Sequence, residues 1–339
     1  MTAAPGEAGA LMAAEVAEAP AVFARAAAAD HRAAVAALGP AAWRAIYTVA
    51  RGSSDAAAGV LAYEAMRETG LPVTSLPPSV FSLGRGVALD ATGVVVVSQS
   101  GASEDLVRSA RGARGNGARV LAITNFPGSP VEEAADLTLP IAAGPERAVP
   151  ATKTVVGAIG TGMALIAALA PAYAPRARAD AAAVAALGGQ RHPGHDALVQ
   201  ALIAARHVYV IGRDTGLGAA QEIALKLKET CVLHAEAHSA SEVLHGPMQL
   251  VTRPLLTLIL DTAQPELRES LDTAEARLSA AGGRVIRISP AGIGAPALTP
   301  AGAAALLLCL LYPVVRDVAL ALGQNPDSPA TLSKVTQTR

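Results

Sequence analysis

The sequence predicts an α/β protein of two doubly wound, parallel-sheet lobes that are related by internal duplication. Apolar, β-branched runs alternate with helical stretches, which is typical of a parallel sheet covered by helices on both faces. Three of these runs recur in the same order in the second half of the chain. A length of 339 residues is enough for two lobes of ordinary domain size.

The recurrence is visible at three places in the sequence. Residues 46–54 match residues 208–216 at an offset of 162, and at that same offset residues 93–99 lie opposite residues 255–261. Residues 118–124 match residues 283–289, three residues out of step. One such pair could arise by chance because apolar strands resemble one another, but three pairs in one order indicate a duplicated lobe.

The chain divides into five predicted segments. The chain begins with an alanine-rich segment of helical pattern. Each lobe then spans about one repeat. A stretch rich in Pro, Ala and Gly, which contains a helical segment of its own, joins the two lobes. The last residues contain two prolines and no periodicity, so they are expected to be extended and to close over the active site. The segments are an N-terminal helical segment (1–42), the first lobe (43–170), a linker (171–195), the second lobe (196–323) and a C-terminal tail (324–339).

Composition excludes several classes of protein. A net charge of −1 and a pI of about 6.7 give no general attraction to nucleic acid or to an anionic membrane. The two cysteines form neither a disulfide framework nor a zinc spacing. No basic residue precedes Arg25, so a signal peptide is not expected. The apolar stretch 303–322 contains Pro313 and two charges, which favours a buried core helix over a membrane span. We therefore expect a cytoplasmic protein.

Residues 94–105 read Val-Val-Val-Val-Ser-Gln-Ser-Gly-Ala-Ser-Glu-Asp, a buried strand followed by a hydroxyl-rich turn and a helix. Ser98, Ser100 and Ser103 supply hydroxyls, and Gly101 lets the backbone approach a ligand closely. The helix expected from about residue 103 to 116 offers free N–H groups and a positive dipole end to an anion. The alternative is an ordinary turn in which Ser103 caps the helix.

The duplication indicates where such a phosphate site would lie. In the second lobe the matching positions 260–263 read Leu-Asp-Thr-Ala and lack the hydroxyl cluster. We therefore expect one sugar-phosphate site per chain, held by the first lobe, with the chemistry supplied by the second.

Candidate acid–base residues lie on one predicted helix of the second lobe. Glu222, Lys226 and Glu229 are spaced at i, i+4 and i+7 and so share a helix face. A solvated face with a Glu222–Lys226 pair is the alternative, but apolar residues at 223, 225 and 227 indicate a helix that is substantially buried. A carboxylate on a partly buried face tends to have a raised pKa, which suits proton transfer near neutral pH.

Other candidates lie downstream. His234 and His238 at i, i+4 could be metal ligands, but no third ligand follows at a recognised spacing, so no metal is predicted. His245, before Gly-Pro, could move a proton to a sugar ring oxygen or could be a capping or surface residue. Lys334 lies in the tail, where a frayed terminus is the alternative to a lid that presents an amine to a carbonyl carbon.

Together these motifs resemble the SIS (sugar isomerase) domain family over nearly the whole chain. The similarity is greatest to the tandem-SIS isomerase half of glucosamine-6-phosphate synthase and to glucosamine-6-phosphate deaminases without a glutaminase domain. The 16-residue spacing from Glu229 to His245 is typical of the family. The motifs are Gly52-Ser-Ser54, Ser98-Gln-Ser-Gly-Ala-Ser103, Ala151-Thr-Lys-Thr, Ala224-Leu-Lys-Leu-Lys-Glu229, His245-Gly-Pro and Leu332-Ser-Lys334.

The resemblance implies a role for each of these motifs. Glu229 would shuttle a proton between C2 and C1, Glu222 and Lys226 would line the site, and Lys334 would engage the C2 carbonyl as an imine. His245 would open the sugar ring from the neighbouring subunit, which implies a homodimer with a shared active site. No metal or cofactor is implied. The substrate would be held by Gly52, Ser53, Ser54, Ser98, Gln99, Ser100, Ser103, Val149 and Ala151.

Two positions depart from the pattern of the synthase. Arg51 stands where the synthase has a small thiol residue, and Ala151 replaces a serine that contacts substrate there. Both changes bear on which sugar is preferred.

The expected function is conversion of glucosamine 6-phosphate and water into fructose 6-phosphate and ammonia. A glutaminase domain needs a cysteine at the second position, which here is Thr2, and only about 40 residues precede the first lobe. The alternatives are a galactosamine-6-phosphate deaminase, a fructosamine-6-phosphate deglycase, a sugar-phosphate isomerase, or a non-catalytic sugar-phosphate sensor. A DNA-binding sensor arm is disfavoured because Arg25 and Arg32 are the only Lys or Arg residues among the first 40.

Overall fold

The computed structural model describes residues 7–334 and contains two parallel sheets. In the first sheet the strand order is β2-β1-β3-β4-β5, and all neighbouring strands are parallel. This order is that of a doubly wound sheet whose direction of winding reverses between β1 and β3. Its strands are β1 (Ala45–Val49), β2 (Val73–Ser75), β3 (Thr92–Ser98), β4 (Arg119–Thr124) and β5 (Leu137–Pro140).

The second sheet repeats the order of the first four strands. Its order is β7-β6-β8-β9, again parallel throughout. The strands matched in sequence, β1 with β6, β3 with β8 and β4 with β9, hold corresponding places in the two sheets. The predicted α/β class with two parallel-sheet lobes is thus confirmed. The strands are β6 (His207–Gly212), β7 (His234–Ser239), β8 (Leu256–Leu260) and β9 (Arg284–Ile288).

Helices connect the strands and cover both sheets. Those before and within the first lobe are α1 (Ala10–Ala27), α2 (Arg32–Ala36), α3 (Gly52–Thr69), α4 (Ser79–Ser82), α5 (Glu104–Gly115), α6 (Pro130–Ala134) and α7 (Lys153–Leu169). Those that follow are α8 (Ala174–Leu187), α9 (His195–Ala204), α10 (Thr215–Cys231), α11 (Arg268–Ala280) and α12 (Pro300–Ala321). The N-terminal helix α1 and the linker helix α8 pack on each other and on α7, so both contribute to the main core.

Helix α12 is the longest helix of the described chain and is strongly apolar. It is long and apolar enough to span a membrane, but 78% of its most apolar window is buried inside the protein. It continues through Pro313, and its burial confirms the predicted core helix.

A close approach between two helices brings the lobes together at the site. Helix α10 of the second lobe packs between α3 of the first lobe and α12. A Cβ atom at Gly218 would lie 2.6 Å from a Val60 methyl and 2.7 Å from the Ala56 carbonyl oxygen, so only glycine permits this contact. The charged face of α10 is thereby held against the N-terminal end of α3.

Candidate active site

A cleft of about 290 Å³ opens at the carboxyl ends of β1 and β3. The chain leaves these neighbouring strands towards opposite sides of the sheet, β1 into α3 and β3 into α5. Ligands of doubly wound proteins bind at such switch points, where two helices begin beside each other. The cleft is closed by α10, by the loop that precedes α7 and by the C-terminal tail.

The turn after β3 presents polar groups to the cleft. The Ser98 hydroxyl accepts a hydrogen bond from the Gly101 N–H at 3.1 Å, and the Ser100 hydroxyl accepts one from Ala102 at 3.3 Å. Ser103 is the N-cap residue of α5, but its hydroxyl makes no capping bond. The side-chain nitrogen of Gln99 is buried and has no partner among residues 7–334. These donors remain for a ligand.

The glycine at position 101 is required by this turn. Its φ of +61° lies in the left-handed region, and a Cβ atom there would stand 2.1 Å from the Ser129 hydroxyl. Glycine therefore fixes both the backbone path and the close packing behind the hydroxyls.

The start of α3 forms the facing wall of the cleft. Gly52, with φ of +53°, is its first residue, and Ser53 and Ser54 lie in the first turn. Arg51 stands at the rim, where its Nε donates to the buried Asp105 carboxylate at 2.9 Å. The six residues expected to hold the phosphate, Gly52, Ser53, Ser98, Gln99, Ser100 and Ser103, line this one cleft, as does Ser54.

Helix α10 contributes an ion-paired group to the cleft. The ammonium of Lys226 contacts the Glu229 carboxylate and lies 3.7 Å from Glu222. Burial disfavours the charge of Lys226, but the two carboxylates outweigh it and raise its pKa. Lys226 and Glu229 line the cleft as predicted, and Glu229 keeps 23% of its side chain exposed.

Glu222 differs from the expectation. It does not line the cleft but lies behind Lys226, fully buried, and accepts a hydrogen bond of 3.1 Å from the Tyr312 hydroxyl of α12. Burial raises the pKa of Glu222 to about 7, opposed by the nearby charge of Lys226. Its position follows from the packing of α10 against α12, which the spacing on a single helix does not reveal.

The tail reaches the cleft and presents Lys334. The Lys334 Nζ donates to the Glu146 carboxylate at 3.1 Å and to the Ala148 carbonyl at 2.7 Å, with 25% of the side chain exposed. Leu332 and Ser333 also line the cleft, as do Val149 and Ala151 from the loop before α7. The five residues after Lys334 lie outside the described part of the chain.

Glu146 and Asp327 organise this side of the cleft and were missed by sequence reasoning. The buried Glu146 accepts hydrogen bonds from the backbone N–H of Thr152 at 2.9 Å and of Thr154 at 3.1 Å, at the start of α7. Asp327 accepts the Val149 N–H at 2.8 Å through its carbonyl oxygen. Glu146 lies six residues before the N-cap residue Thr152, outside the positions at which capping residues are recognised, so no local signal identifies it.

The remaining candidates lie elsewhere. His245 is exposed, follows a short 3-10 turn, and does not line the cleft of its own chain. His234 and His238 are on strand β7 rather than on a helix; His234 Nδ1 lies 3.3 Å from His207 Nδ1, and His238 packs on the Tyr209 ring. Across residues 7–334, no three or more His, Cys, Asp or Glu side chains are grouped as metal ligands would be.

Comparison with known proteins identifies the family. The chain is 33% identical over 320 residues to the isomerizing glutamine–fructose-6-phosphate aminotransferase of Symbiobacterium thermophilum, covering 86% of this chain and 51% of that protein. The chain thus spans about half the length of this curated relative. A Silicibacter pomeroyi DSS-3 structure assigned as a phosphosugar isomerase superposes with a TM-score of 0.81 and 33% identity over 94% of this chain and 99% of that one.

The C-terminal domain of glucosamine-fructose-6-phosphate aminotransferase from Francisella tularensis shares the fold. Its TM-score is 0.83 at 21% identity, over 94% of this chain and 98% of that domain. The SIS domain family model matches residues 41–168 and 201–292, more than half of the chain. The chain therefore belongs to the SIS domain family and is homologous to the isomerase half of these aminotransferases.

Proposed function

We propose that this chain is a glucosamine-6-phosphate deaminase, which converts glucosamine 6-phosphate and water into fructose 6-phosphate and ammonia. The observation that carries the proposal is that Glu229 and the hydroxyls of Ser98, Ser100 and Ser103 line one cleft. A carboxylate and an anion cradle then share one cleft, as proton transfer at C1 and C2 of a 6-phosphosugar requires.

The phosphate is held without a lysine in the cradle. The N-termini of α3 and α5 both begin at the cleft, and each offers unpaired backbone N–H groups and the positive end of a helix dipole. The serine hydroxyls and the Gln99 amide add donors around the anion. The guanidinium of Arg51 stands at the rim of the same cleft.

Glu229 acts as the base and then as the acid. It removes the C2 proton of the open-chain aldehyde, and protonation of the oxygen at C1 gives an enolamine. It then returns the proton to C1 while the nitrogen gives up a proton, which leaves a hydroxyl at C1 and an imine at C2. Lys226 stabilises the negative charge that develops on the oxygen at C1, because its ammonium is buried beside Glu229. Proton transfer by a positioned side chain accounts for the isomerisation.

Hydrolysis of the imine releases ammonia. Water adds to C2, the C–N bond breaks and the C2 carbonyl of fructose 6-phosphate forms. Glu229 and Lys334 are each about one-quarter exposed, so water reaches the side of the cleft that they share. In the alternative route the Lys334 amine attacks C2, displaces ammonia and forms an imine with the sugar. Water then hydrolyses this imine and releases the ketose. For its attack on C2 the Lys334 amine has to leave Glu146.

Ring opening is assigned to His245 of a second subunit. The exposed position of His245, away from the cleft of its own chain, is consistent with this assignment. The active protein is accordingly proposed to be a homodimer with shared sites.

The decisive experiment is a substrate panel with the purified full-length chain. Ammonia and fructose 6-phosphate are measured separately with glucosamine 6-phosphate, galactosamine 6-phosphate and a fructosamine 6-phosphate. We expect equal amounts of both products from glucosamine 6-phosphate, and label at C1 in deuterated water. Glucosamine without phosphate serves as the matched control and should react poorly.

Two outcomes would contradict the proposal. Faster release of ammonia from galactosamine 6-phosphate would assign the chain to that substrate, and ketose formation without ammonia would make it a simple isomerase. The Glu229→Gln variant keeps the side-chain volume but cannot accept a proton, so turnover should fall by roughly 10²–10⁴-fold. A near-normal rate in this variant would assign the base to another residue.

A further inference from the structure

At the α10 wall of the cleft, two carboxylates share a single ammonium group. Lys226 lies between Glu222 and Glu229 on α10, and each of them is within ion-pair distance. With all three groups ionised, the cluster contains two negative charges and one positive charge, so it is negative overall. The carboxylate that takes up the next proton therefore decides the state in which Glu229 faces the substrate.

The two carboxylates have different surroundings. Glu229 is partly exposed to the cleft, whereas Glu222 is fully buried. One oxygen of Glu222 accepts a hydrogen bond from Tyr312, and the other oxygen has no partner among the described residues. The Ser53 hydroxyl at the start of α3 lies near this carboxylate and acts to lower the pKa of Glu222. Burial alone would place the proton on Glu222.

The charge of Lys226 and, to a smaller extent, the hydroxyl of Tyr312 oppose that effect of burial. Tyr312 lies on α12, is fully buried, and directs its hydroxyl at the Glu222 carboxylate from 90 residues away in sequence. A hydrogen bond donated to a carboxylate favours its charged form. The other titratable groups that face this cluster are Glu146, from the loop before α7, and the Cys309 thiol of α12.

We infer that Tyr312 is a positioning residue that favours the ionised form of Glu222 and thereby keeps the Lys226 ammonium shared between Glu222 and Glu229. The inference rests on the proposed role of Glu229 as the base. With Glu222 charged, the ammonium of Lys226 is divided between two carboxylates and binds Glu229 less tightly. With Glu222 neutral, Lys226 pairs with Glu229 alone.

The test compares Tyr312→Phe with Tyr173→Phe. Tyr173 is the matched control because it is also a buried tyrosine that faces a carboxylate, Glu64, but it lies outside the cleft. We measure kcat and KM for glucosamine 6-phosphate between pH 5.5 and 9. For Tyr312→Phe we expect kcat near pH 7 to fall about threefold to tenfold. KM should change little, because the cradle is intact.

The fall in kcat of Tyr312→Phe should depend on pH and should require Glu222. In Tyr312→Phe the acid limb of the kcat profile should move to higher pH, whereas Tyr173→Phe should leave it in place. In a Glu222→Gln background, Tyr312→Phe should cause no further shift of this limb. An equal shift in both backgrounds, or an unchanged limb in Tyr312→Phe, would overturn the inference.

A second measurement does not depend on turnover. The carboxyl ¹³C resonance of Glu222, assigned by its loss in Glu222→Gln, should titrate at higher pH in Tyr312→Phe than in the parent protein. Unchanged titration overturns the role of Tyr312 even where the deaminase is active. A shifted titration in a protein that releases no ammonia supports the control of Glu222 by Tyr312 and contradicts the proposed function instead.

Discussion

Asp327 and Met12 lie 315 residues apart in sequence, and the Asp327 carboxylate accepts the Met12 N–H at 2.8 Å. The same carboxylate accepts the Leu11 N–H at 3.1 Å, so the tail provides the N-terminal cap that Gly9 cannot supply to α1. Because the Asp327 carbonyl also binds the Val149 N–H, one residue joins α1, the tail and the loop beside the cleft.

Replacement of Asp327 by Ala should therefore have two effects. Loss of the helix cap should lower the free energy of unfolding by about 0.5–2 kcal/mol, the range for cap removal. The loosened tail should also raise KM, because Leu332 and Lys334 line the cleft. Thermal unfolding and initial rates check both effects. Glu269→Ala, at an exposed position of α11, is the control and should alter neither; an unchanged KM in Asp327→Ala would contradict the role of the tail.

The fold was predictable because its signals are local. Four valines in succession before Ser98 gave β3, and the i, i+4, i+7 spacing of Glu222, Lys226 and Glu229 placed all three on one face of α10. The hydroxyl-rich turn after β3 likewise indicated the phosphate side of the cleft. These features depend on neighbours within a few residues, which sequence periodicity reports directly.

The rest of the site depends on contacts between distant segments. Tyr312 bonds to Glu222 across 90 residues, and Lys334 to Glu146 across 188. No periodicity encodes such pairs, so sequence reasoning placed Glu222 in the cleft instead of behind it. The spacing of His234 and His238 fits a helix and a strand equally, and their strand was recognised only from the pairing of β7 with β6.

The phosphate cradle is tested by the double variant Ser98→Ala, Ser100→Ala. Both hydroxyls should contribute hydrogen bonds to the charged phosphate, each typically worth about 1.5–3 kcal/mol. KM for glucosamine 6-phosphate should thus rise by at least about tenfold, as initial rates will measure, while the unfolding temperature changes little. The exposed Ser279 of α11, changed to Ala, is the control. An unchanged KM in the double variant would remove the phosphate assignment.

Lys334→Arg separates the charge of the side chain from its nucleophilicity. Arginine can keep the contact with Glu146 but cannot form an imine. If the covalent route operates, turnover should fall by at least about 10²-fold. Borohydride reduction with substrate should add the sugar mass to the parent protein but not to this variant, as mass spectrometry will show. The exposed Lys228, changed to Arg, should still be trapped. Full activity in Lys334→Arg would leave direct attack by water as the route.

The buried Glu64 predicts a dependence of stability on pH. Burial raises the pKa of this carboxyl from 4.5 to about 7, while Tyr173 and Arg67 act in the opposite direction. Between pH 4.5 and about pH 7 the Glu64 carboxyl is more often protonated in the folded protein than in the unfolded chain. The contribution of Glu64 to stability is therefore lost as pH rises through this range. Glu64→Gln should remove this loss, which is on the order of 3 kcal/mol at about 1.4 kcal/mol per pKa unit.

Denaturant unfolding of Glu64→Gln at pH 5 and pH 8 measures the effect. The stability of the variant relative to the parent should increase between the two pH values. The exposed Glu269 of α11, changed to Gln, should show no such difference. A constant offset between Glu64→Gln and the parent at both pH values would contradict the raised pKa.

A shared active site should allow two inactive variants to restore each other. Glu229→Gln removes the base within the cleft, and His245→Ala removes the exposed imidazole assigned to the site of the partner. In a mixed dimer one site carries both defects and the other carries none. Random exchange at equal mixing should restore up to about a quarter of parental activity, by the statistics of a symmetric dimer. Mass spectrometry of labelled chains confirms exchange; demonstrated exchange without recovered activity would show that each chain completes its own site.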